Sequence, residues 1–302
     1  MADFIAPGSD EWSRLITPSK VAAILGVSRF ESKYRLWHRM KGLVDPEPPK
    51  DIFDIGHDYE PAAANRWLRK NPGWKLSRGE VQVLVPESRF GFPAAATMDR
   101  RAVRGKSRRV VEFKTARHVE EWGDDLTDQC PEDYAAQVLT QMLFTGITKL
   151  PGHLLVLTSY FGDHIYEIPF DPEVGDWIVT QCREFWDSLA GDEPPDLDNT
   201  VATYECVRAL HPDIDGTTVQ YDSEEAWRIL QFAADLDANE KCLRGAKTRL
   251  LDAMGNAQVA QVGDIKVADR RANGKGGVSL YLAKKNLDQI FEQHNNNQEG
   301  PY

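Results

Sequence analysis

Hydrophobic and polar residues alternate along the chain with two different periods, and the changes of period predict where helices and strands lie. Thr17-Pro18 pairs an N-cap residue with a proline at the first helical position, and apolar side chains follow as far as Gly26. Further segments with helical spacing cover residues 32–41, 55–70, 131–145 and 171–191. Segments with strand-like alternation cover residues 81–85, 94–103, 109–115, 153–160 and 164–170. Helices and strands mixed in this order predict an α/β fold.

The Pro- and Asp-rich segment 191–199 marks a change of pattern and predicts a domain boundary. We therefore expect one domain over residues 1–196 and a C-terminal extension over 197–302. In the extension, Asp222 and Glu225 predict the start of a long helix that lasts until Gly255. Short strands are predicted over residues 257–262, 264–269 and 278–282, and the Asn/Gln-rich end, 294–302, is expected to be disordered.

Composition limits the class of protein. The chain has 302 residues, 41% of them hydrophobic and 27% charged, which is typical of a globular protein with a sizeable core. No apolar run approaches the roughly 20 residues that a membrane-spanning helix needs, and the first ten residues lack a secretion signal, so we expect a cytoplasmic protein.

The four cysteines have no zinc or iron-sulfur spacing and are expected to be reduced and buried: Cys130, Cys182, Cys206 and Cys242.

The net charge of −11 argues against a protein that coats nucleic acid non-specifically, because such binding depends on neutralising phosphates. A local basic surface remains possible, since DNA senses the field of the surface that it touches. One run of basic residues has this character, and it is either a solvated loop or a DNA contact: Arg100, Arg101, Arg104, Lys106, Arg108 and Arg109.

The strand predicted around residue 112 carries an acid and a base on one face. Residues two apart in a strand point the same way, so Glu112 and Lys114 share a face while Val111 and Phe113 lie on the other. This arrangement presents charges to a cleft and apolar side chains to a core. Taken alone, Glu-x-Lys is more often an ordinary ion pair on an exposed strand.

Asp99 adds a second carboxylate to this face. It lies 13 residues before Glu112, on the preceding strand of a predicted hairpin that can bring both carboxylates together. Two close carboxylates repel each other unless a cation neutralises them, and hard oxygen ligands suit Mg²⁺ or Mn²⁺. A lysine beside such a site can orient a water whose pKa the metal lowers. The set Asp99, Glu112 and Lys114 therefore predicts phosphodiester hydrolysis.

The same residues resemble the PD-(D/E)XK nuclease motif, and their surroundings resemble the lambda-exonuclease or YqaJ-type viral recombinase family. The strand Thr97-Met98-Asp99-Arg100 departs from the family's Pro-Asp-Gly but keeps the carboxylate. The matching segments, in chain order, are Arg14-Leu15-Ile16-Thr17-Pro18-Ser19-Lys20-Val21-Ala22-Ala23-Ile24-Leu25-Gly26, Leu36-Trp37 with Gly42, Gly56-His57-Asp58-Tyr59-Glu60, and Tyr134-Ala135-Ala136-Gln137.

The resemblance implies a restriction-endonuclease-like mixed β-sheet core flanked by helices, with a C-terminal helix and a small β extension. It also implies Mg²⁺, with Mn²⁺ as a substitute, bound by Asp99, Glu112, Glu60 and the Phe113 carbonyl. Lys114, Tyr134 and Gln137 would join these acids in the catalytic set. Without the resemblance, Glu60 is a solvent-facing helix residue, and Tyr134, Gln137 and Gln141 form a polar helix stripe.

By the same resemblance, four residues match or lie near a pocket for a terminal 5′-phosphate: Arg14, Ser19, Thr97 and Arg117. Four histidines have no ligand spacing with a third partner, and we interpret them as ordinary surface or loop residues: His38, His57, His118 and His153.

The function implied is 5′-to-3′ digestion of double-stranded DNA ends, releasing 5′-mononucleotides and leaving 3′ single-stranded tails. The expected partners are a single-strand annealing protein and further copies of the chain in a homo-oligomer, which in this family is often a ring trimer. Two alternatives remain open at this point. One is a DNA endonuclease of the same fold, and the other is a non-catalytic DNA-binding or assembly module.

Overall fold

The protein divides into two compact units, Met1–Ile214 and Asp215–Tyr302. The computed structural model describes residues 4–45, 51–117, 119, 122–159, 162–272 and 277–298. Within these ranges, no helix is long and apolar enough to cross a membrane.

The first unit mixes helices and strands in the predicted order. Its helices are α1 (Asp10–Ser13), α2 (Pro18–Ile24), α3 (Lys33–Met40), α4 (Asp51–Lys70), α5 (Glu87–Phe90), α6 (Glu132–Thr145), α7 (Pro172–Ser188) and α8 (Val201–Leu210). Its strands are β1 (Lys75–Leu76), β2 (Val81–Val85), β3 (Ala94–Met98), β4 (Arg100–Arg104), β5 (Ser107–Ala116), β6 (Gly152–Thr158) and β7 (Asp163–Ile168). The short elements α1, α5 and β1, and helix α8, have no counterpart in the sequence prediction.

The central sheet is mixed. Among the described residues its strands lie in the order β1-β4-β5-β6-β7, with β5 and β6 parallel and the other neighbours antiparallel. Strands β2 and β3 pair separately. The sequence predicts one strand over 94–103, but the chain bends at Asp99, because Met98 pairs with Val81 whereas Arg100 pairs with Val111. The bend thus moves the chain from one sheet into the other.

Helices cover both faces of the central sheet. On one face, Trp67 of α4 packs in a cluster with Phe113 of β5. On the other face, Val138 of α6 packs in a cluster with Val110 of β5. The far side of α6 joins α2, α3 and α7 around Phe144. A mixed sheet between helices confirms the predicted fold class.

His153 is a buried histidine that the fold keeps neutral. Trp67 Nε1 donates to its Nδ1 at 3.0 Å, so Nε2 carries the proton and contacts Glu167 at 3.0 Å. Burial, followed by the charge of Arg109, lowers the pKa of His153 to about 3. The prediction of an ordinary surface or loop histidine is therefore wrong at this position, and His38 is likewise buried.

We expect His153 to make the fold sensitive to acid. The unfolded chain protonates His153 below its ordinary pKa of about 6.5, whereas the folded chain does so only near pH 3. The neutral ring's contribution to the free energy of unfolding is therefore fully present above pH 6.5. This contribution decreases as the pH falls toward 3, by roughly a few kcal/mol in total. Urea unfolding at pH 7.5 and pH 5 measures this loss. It should be smaller in His153→Gln than in the unchanged protein, and an equal loss in both would contradict the assignment.

The second unit consists of a long helix and a small sheet. Its elements are α9 (Ser223–Met254), β8 (Val259–Val262), β9 (Ile265–Ala272), β10 (Val278–Leu282), the 3₁₀ turn η1 (Lys284–Asn286) and α10 (Leu287–Gln298). Asp222 caps α9 by accepting from the backbone N–H groups of Glu224 and Glu225, as the sequence predicts. The expectation of disorder from residue 294 is wrong as far as Gln298, because a helix that starts at Leu287 continues through these residues. Residues 299–302 lie outside the described part.

Helix α8 explains why the first unit extends beyond residue 196. Thr203 donates to Ser32 at 2.8 Å, and Glu205 pairs with Arg35 at 3.4 Å. These contacts join α8 to α3, so the compact unit ends after Ile214. The functional division into 1–196 and 197–302 stays a prediction. The four cysteines are free, but Cys242 is exposed and Cys130 is only half-buried, which corrects the expectation that all four are buried.

Candidate active site

Strand β5 presents Glu112 and Lys114 toward α6, as its alternation predicts. Val111 and Phe113 point the other way into the α4 cluster. Glu112 is only 2% exposed, so its charge depends on protein partners rather than on water. The strand is therefore anchored by its apolar face and carries its charges on the opposite one.

Asp99 lies at the bend between β3 and β4, directly beside β5. Its Oδ2 accepts from the backbone N–H of Phe113 at 2.7 Å. Burial, followed by the nearby charge of Glu112, raises the pKa of Asp99 well above its ordinary value. Glu112 is thus close enough to disfavour the charged form of Asp99.

Lys114 supplies a positive charge between these acids. Its Nζ lies 2.7 Å from Glu112 Oε1 and 5.6 Å from the centre of the Tyr134 ring. Burial lowers the pKa of Lys114, but the charges of Glu112 and Asp99 outweigh it and raise that pKa above its usual range. The lysine therefore stays protonated and holds Glu112 in place.

Helix α6 provides two amide donors to Glu112. Gln137 Nε2 lies 2.6 Å from Glu112 Oε1, and Gln141 Nε2 lies 2.8 Å from Glu112 Oε2. Gln141 also donates to the Thr97 carbonyl at 3.0 Å and is fully buried. Gln141 was not predicted as a site residue, although its spacing of four residues from Gln137 places both on one face of the helix.

Replacing Gln141 with Leu is expected to cost about 1–3 kcal/mol of unfolding free energy, because a buried carboxylate oxygen and a buried carbonyl lose their donor. Urea unfolding in the presence of EDTA measures this cost without a metal contribution. Gln181→Leu is the matched control, since the Gln181 amide bonds only to exposed Glu184 among the described contacts. Equal stabilities of the two variants would contradict the role of Gln141.

A second acidic group lies on α4 and the segment before β2. One ligand atom each from His57, Glu60 and Glu80 lies within 4.8 Å of the others. Burial and the charge of Glu60 raise the pKa of Glu80, and Glu60 also contributes to the raised pKa of Asp99. The interpretation of His57 as an ordinary surface residue did not place it beside Glu80, because residues 57 and 80 are far apart in the sequence.

Arg100 occupies the space beside Glu60. Its Nη1 lies 3.2 Å from Glu60 Oε2 and 2.5 Å from the Asp99 carbonyl oxygen, and the side chain is buried. At the position after the aspartate, the family pattern has glycine, so this contact is a feature of the present chain. The cation offsets part of the negative charge around Asp99 and Glu60.

The basic run from residue 100 to 109 does not form one surface. Arg100 points inward to Glu60, whereas Arg109 lies 5.3 Å from the Trp74 ring and 3.7 Å from Glu167. The members exposed around the hairpin are Arg101, Arg104, Lys106 and Arg108. The possible DNA contact is therefore limited to these four residues.

The four residues of the expected 5′-phosphate pocket lie on separate elements. Arg14 and Ser19 are exposed near the start of α2, Thr97 lies one residue before the end of β3, and Arg117 follows β5. Backbone bonds from Ile16 to Pro93 and from Ala95 to Ile16 place the start of α2 beside β3. Among the described contacts, no hydrogen bond joins the four side chains, and Thr97 Oγ1 instead accepts from Gln82 at 3.0 Å. Their shared role stays a prediction.

Tyr134, at the start of α6, lies near two cations. The guanidinium of Arg29 lies 4.8 Å from its ring centre, and Lys114 Nζ lies 5.6 Å from it. Arg29 forms two bonds of 2.9 Å to Asp133, which hold it against the helix. The phenol is thus positioned next to Lys114, and its catalytic role stays a prediction.

Comparison with protein families confirms the predicted resemblance. Residues 12–148 match the YqaJ-like viral recombinase domain, and this range contains Asp99, Glu112 and Lys114. None of the curated proteins is similar enough to match the chain. The family match supports the expectation of a nuclease that hydrolyses DNA.

Solved structures offer only distant likeness. An alkaline exonuclease (LHK-Exo) from Laribacter hongkongensis is 18% identical, with a TM-score of 0.42, over 60% of this chain and 93% of that chain. The same exonuclease in complex with dAMP gives 19% identity and the same TM-score over the same shares. The protein SSO0001 gives 14% identity and a TM-score of 0.35 over 72% of this chain and 91% of that chain. At these values the likeness carries no argument about the site.

Proposed function

Since residues 12–148 carry a YqaJ-like viral recombinase domain, we propose that the protein is a Mg²⁺-dependent exonuclease that digests double-stranded DNA ends from 5′ to 3′. It would release 5′-mononucleotides and leave 3′ single-stranded tails. The observation that carries this proposal is the cluster of Asp99, Glu112 and Lys114, held together by the Phe113 backbone N–H and the Gln137 amide.

The donor set fits a hard divalent cation. Asp99 and Glu112 are close enough for the charge of Glu112 to raise the pKa of Asp99, and a bound cation would relieve this repulsion. Asp99, Glu112 and the Phe113 carbonyl would hold one Mg²⁺ or Mn²⁺, with Glu60 as a further acid. His57 and Glu80 could extend this acidic group, since both lie beside Glu60. The bound cation would lower the pKa of water and polarise the scissile phosphate.

The chain's own side chains then divide the remaining work. Lys114, protonated beside Glu112, would orient the attacking water and stabilise negative charge on the phosphate. Gln137 would share its amide between Glu112 and the water or phosphate. Tyr134, next to Lys114, would contact the phosphate backbone through its hydroxyl.

Preference for a DNA end would come from the predicted phosphate pocket. Arg14, Ser19, Thr97 and Arg117 offer two guanidinium groups and two hydroxyls, which together suit a terminal 5′-phosphate. The 3′ tail would pass to a single-strand annealing protein, and the enzyme would act in the cytoplasm, as a homo-oligomer. A ring trimer around the duplex would favour processive digestion.

The proposal is tested with one duplex in three forms: linear with 5′-phosphate, linear with 5′-hydroxyl, and covalently closed circular. We expect Mg²⁺-dependent release of mononucleotides from the 5′ ends of the linear forms, fastest with 5′-phosphate, and no cutting of the circle. EDTA should abolish the activity. Cutting of the circle would instead indicate an endonuclease. If calorimetry detects no Mn²⁺ binding and no substrate is cut, the proposal is wrong and a non-catalytic DNA-binding module is favoured.

A further inference from the structure

Helix α9 carries a mostly apolar seam along one face, with Asn239 as its one polar member. Its residues repeat with the seven-residue spacing of a coiled coil, in which positions a and d face a partner helix. Position a holds Ile229, Leu236, Leu243 and Leu250, and position d holds Phe232, Asn239, Ala246 and Ala253. Phe232 is 72% exposed and Leu236 is 61% exposed, whereas Leu250 is half-buried. A large, exposed apolar stripe of this kind is typical of an interaction surface.

The charges of α9 are divided between its two halves. Residues 222–240 contain six acidic side chains and one basic side chain, whereas residues 241–254 contain four basic side chains and one acidic side chain. The first half is therefore negative and the second half positive. Two such helices attract each other along their whole length only when they run in opposite directions.

We propose that α9 of one copy pairs with α9 of a second copy as an antiparallel coiled coil. The occupant of the seam is thus another molecule of the same chain. This pairing does not depend on the proposed nuclease function, because it uses only residues of the second unit.

The flanking positions specify the direction and the register. In an antiparallel pair, position g faces g, so Asp235 meets Arg249 of the other copy. This pairing centres the two helices on Cys242, which then lies opposite its own counterpart. A parallel, in-register pair would instead set Asp235 against Glu240, two like charges. The antiparallel arrangement is the one that the charges favour.

The seam is tested first with a matched pair of variants in the full-length chain. Leu236→Glu places a charge in the seam, whereas Leu230→Glu places the same charge at an exposed position outside it. Sedimentation equilibrium should show self-association that Leu236→Glu weakens at least roughly tenfold, because a charge would be buried. Leu230→Glu should leave it unchanged. The proposal would be overturned if the unchanged protein is strictly monomeric. It would also be overturned if Leu236→Glu and Leu230→Glu weaken self-association equally.

The direction is tested by exchanging charges. A chain with Asp235→Arg should associate poorly with itself, and so should a chain with Arg249→Asp, because each sets two like charges at the Asp235–Arg249 contact. Mixing the two variants should restore association, since each acidic residue again meets a basic one. Failure of the mixture to associate would exclude the antiparallel register.

Cys242 provides a readout of the same register. It is exposed, whereas Cys182 and Cys206 are buried. Mild oxidation should yield a disulfide-linked dimer that disappears in Cys242→Ser and is reduced in Leu236→Glu. A cross-link as abundant in Leu236→Glu as in the unchanged chain would reflect random collision and would contradict the paired register.

Discussion

Lys114→Ala is expected to lower Mg²⁺-dependent digestion of linear duplex DNA by roughly 10²- to 10³-fold or more, because it removes a cation that stabilises developing charge. In the folded protein, the Lys114 ammonium lies 2.7 Å from Glu112 and its pKa is raised, so the side chain is charged at any working pH. Initial rates of nucleotide release from a linear duplex measure the effect. Lys149→Ala, at an exposed position after α6, is the control and should keep full activity.

Asp99→Ala should abolish the same activity for a different reason, the loss of a metal ligand. Calorimetry distinguishes the two variants: Lys114→Ala should still bind Mn²⁺, whereas Asp99→Ala should bind it weakly or not at all. Retained Mn²⁺ binding would also show that Lys114→Ala is folded, because a misfolded chain would lose the metal site. Undiminished digestion of linear duplex DNA by either variant would show that the assignment of the active site is wrong.

Trp67→Ala is expected to cost about 3–5 kcal/mol of unfolding free energy, because it removes a large buried side chain. Trp67 is fully buried, its ring lies 6.2 Å from that of Trp74, and its indole N–H donates to His153. The substitution would therefore open a cavity between α4 and the sheet and leave the neutral histidine without its donor. Urea unfolding at pH 7.5 measures the cost.

Trp177→Ala is the control for this change, since Trp177 is half-exposed on α7. Its cost should stay below about 1 kcal/mol. Trp67→Ala should also weaken Mn²⁺ binding in whatever fraction remains folded, because Glu60 lies two turns earlier on the same helix. A loss of less than about 1 kcal/mol in Trp67→Ala would contradict the packing of α4 against the sheet.

Local sequence patterns predicted most of the elements that build the site. The alternation in β5 assigned Glu112 and Lys114 to one face, and the bonds from Lys114 and Gln137 to Glu112 confirm that face. Helix α6 was predicted from Pro131 to Thr145 and runs from Glu132 to Thr145. Such patterns succeed because they depend on the period of a single helix or strand.

Other parts of the site could not be predicted, because they depend on contacts between distant segments. The polar stripe on α6 indicated Gln137, but nothing local showed that Gln141 would bond to Glu112, 29 residues away. The basic run suggested a DNA surface, yet Arg100 pairs with Glu60, 40 residues away. A charged residue in a basic run has the same local pattern whether it faces solvent or a buried acid.

By itself, the sequence determined which residues could share a face, where helices α2 and α9 begin, and which family the first part of the chain resembles. These properties follow from residue spacing and side-chain chemistry. Only the tertiary structure decided that Asp99 bonds to the Phe113 backbone, that His57 lies beside Glu80, and that α8 belongs with the first unit through Thr203 and Ser32. The reason is physical: these pairs meet only when separate elements pack, and packing depends on the whole core rather than on any local period.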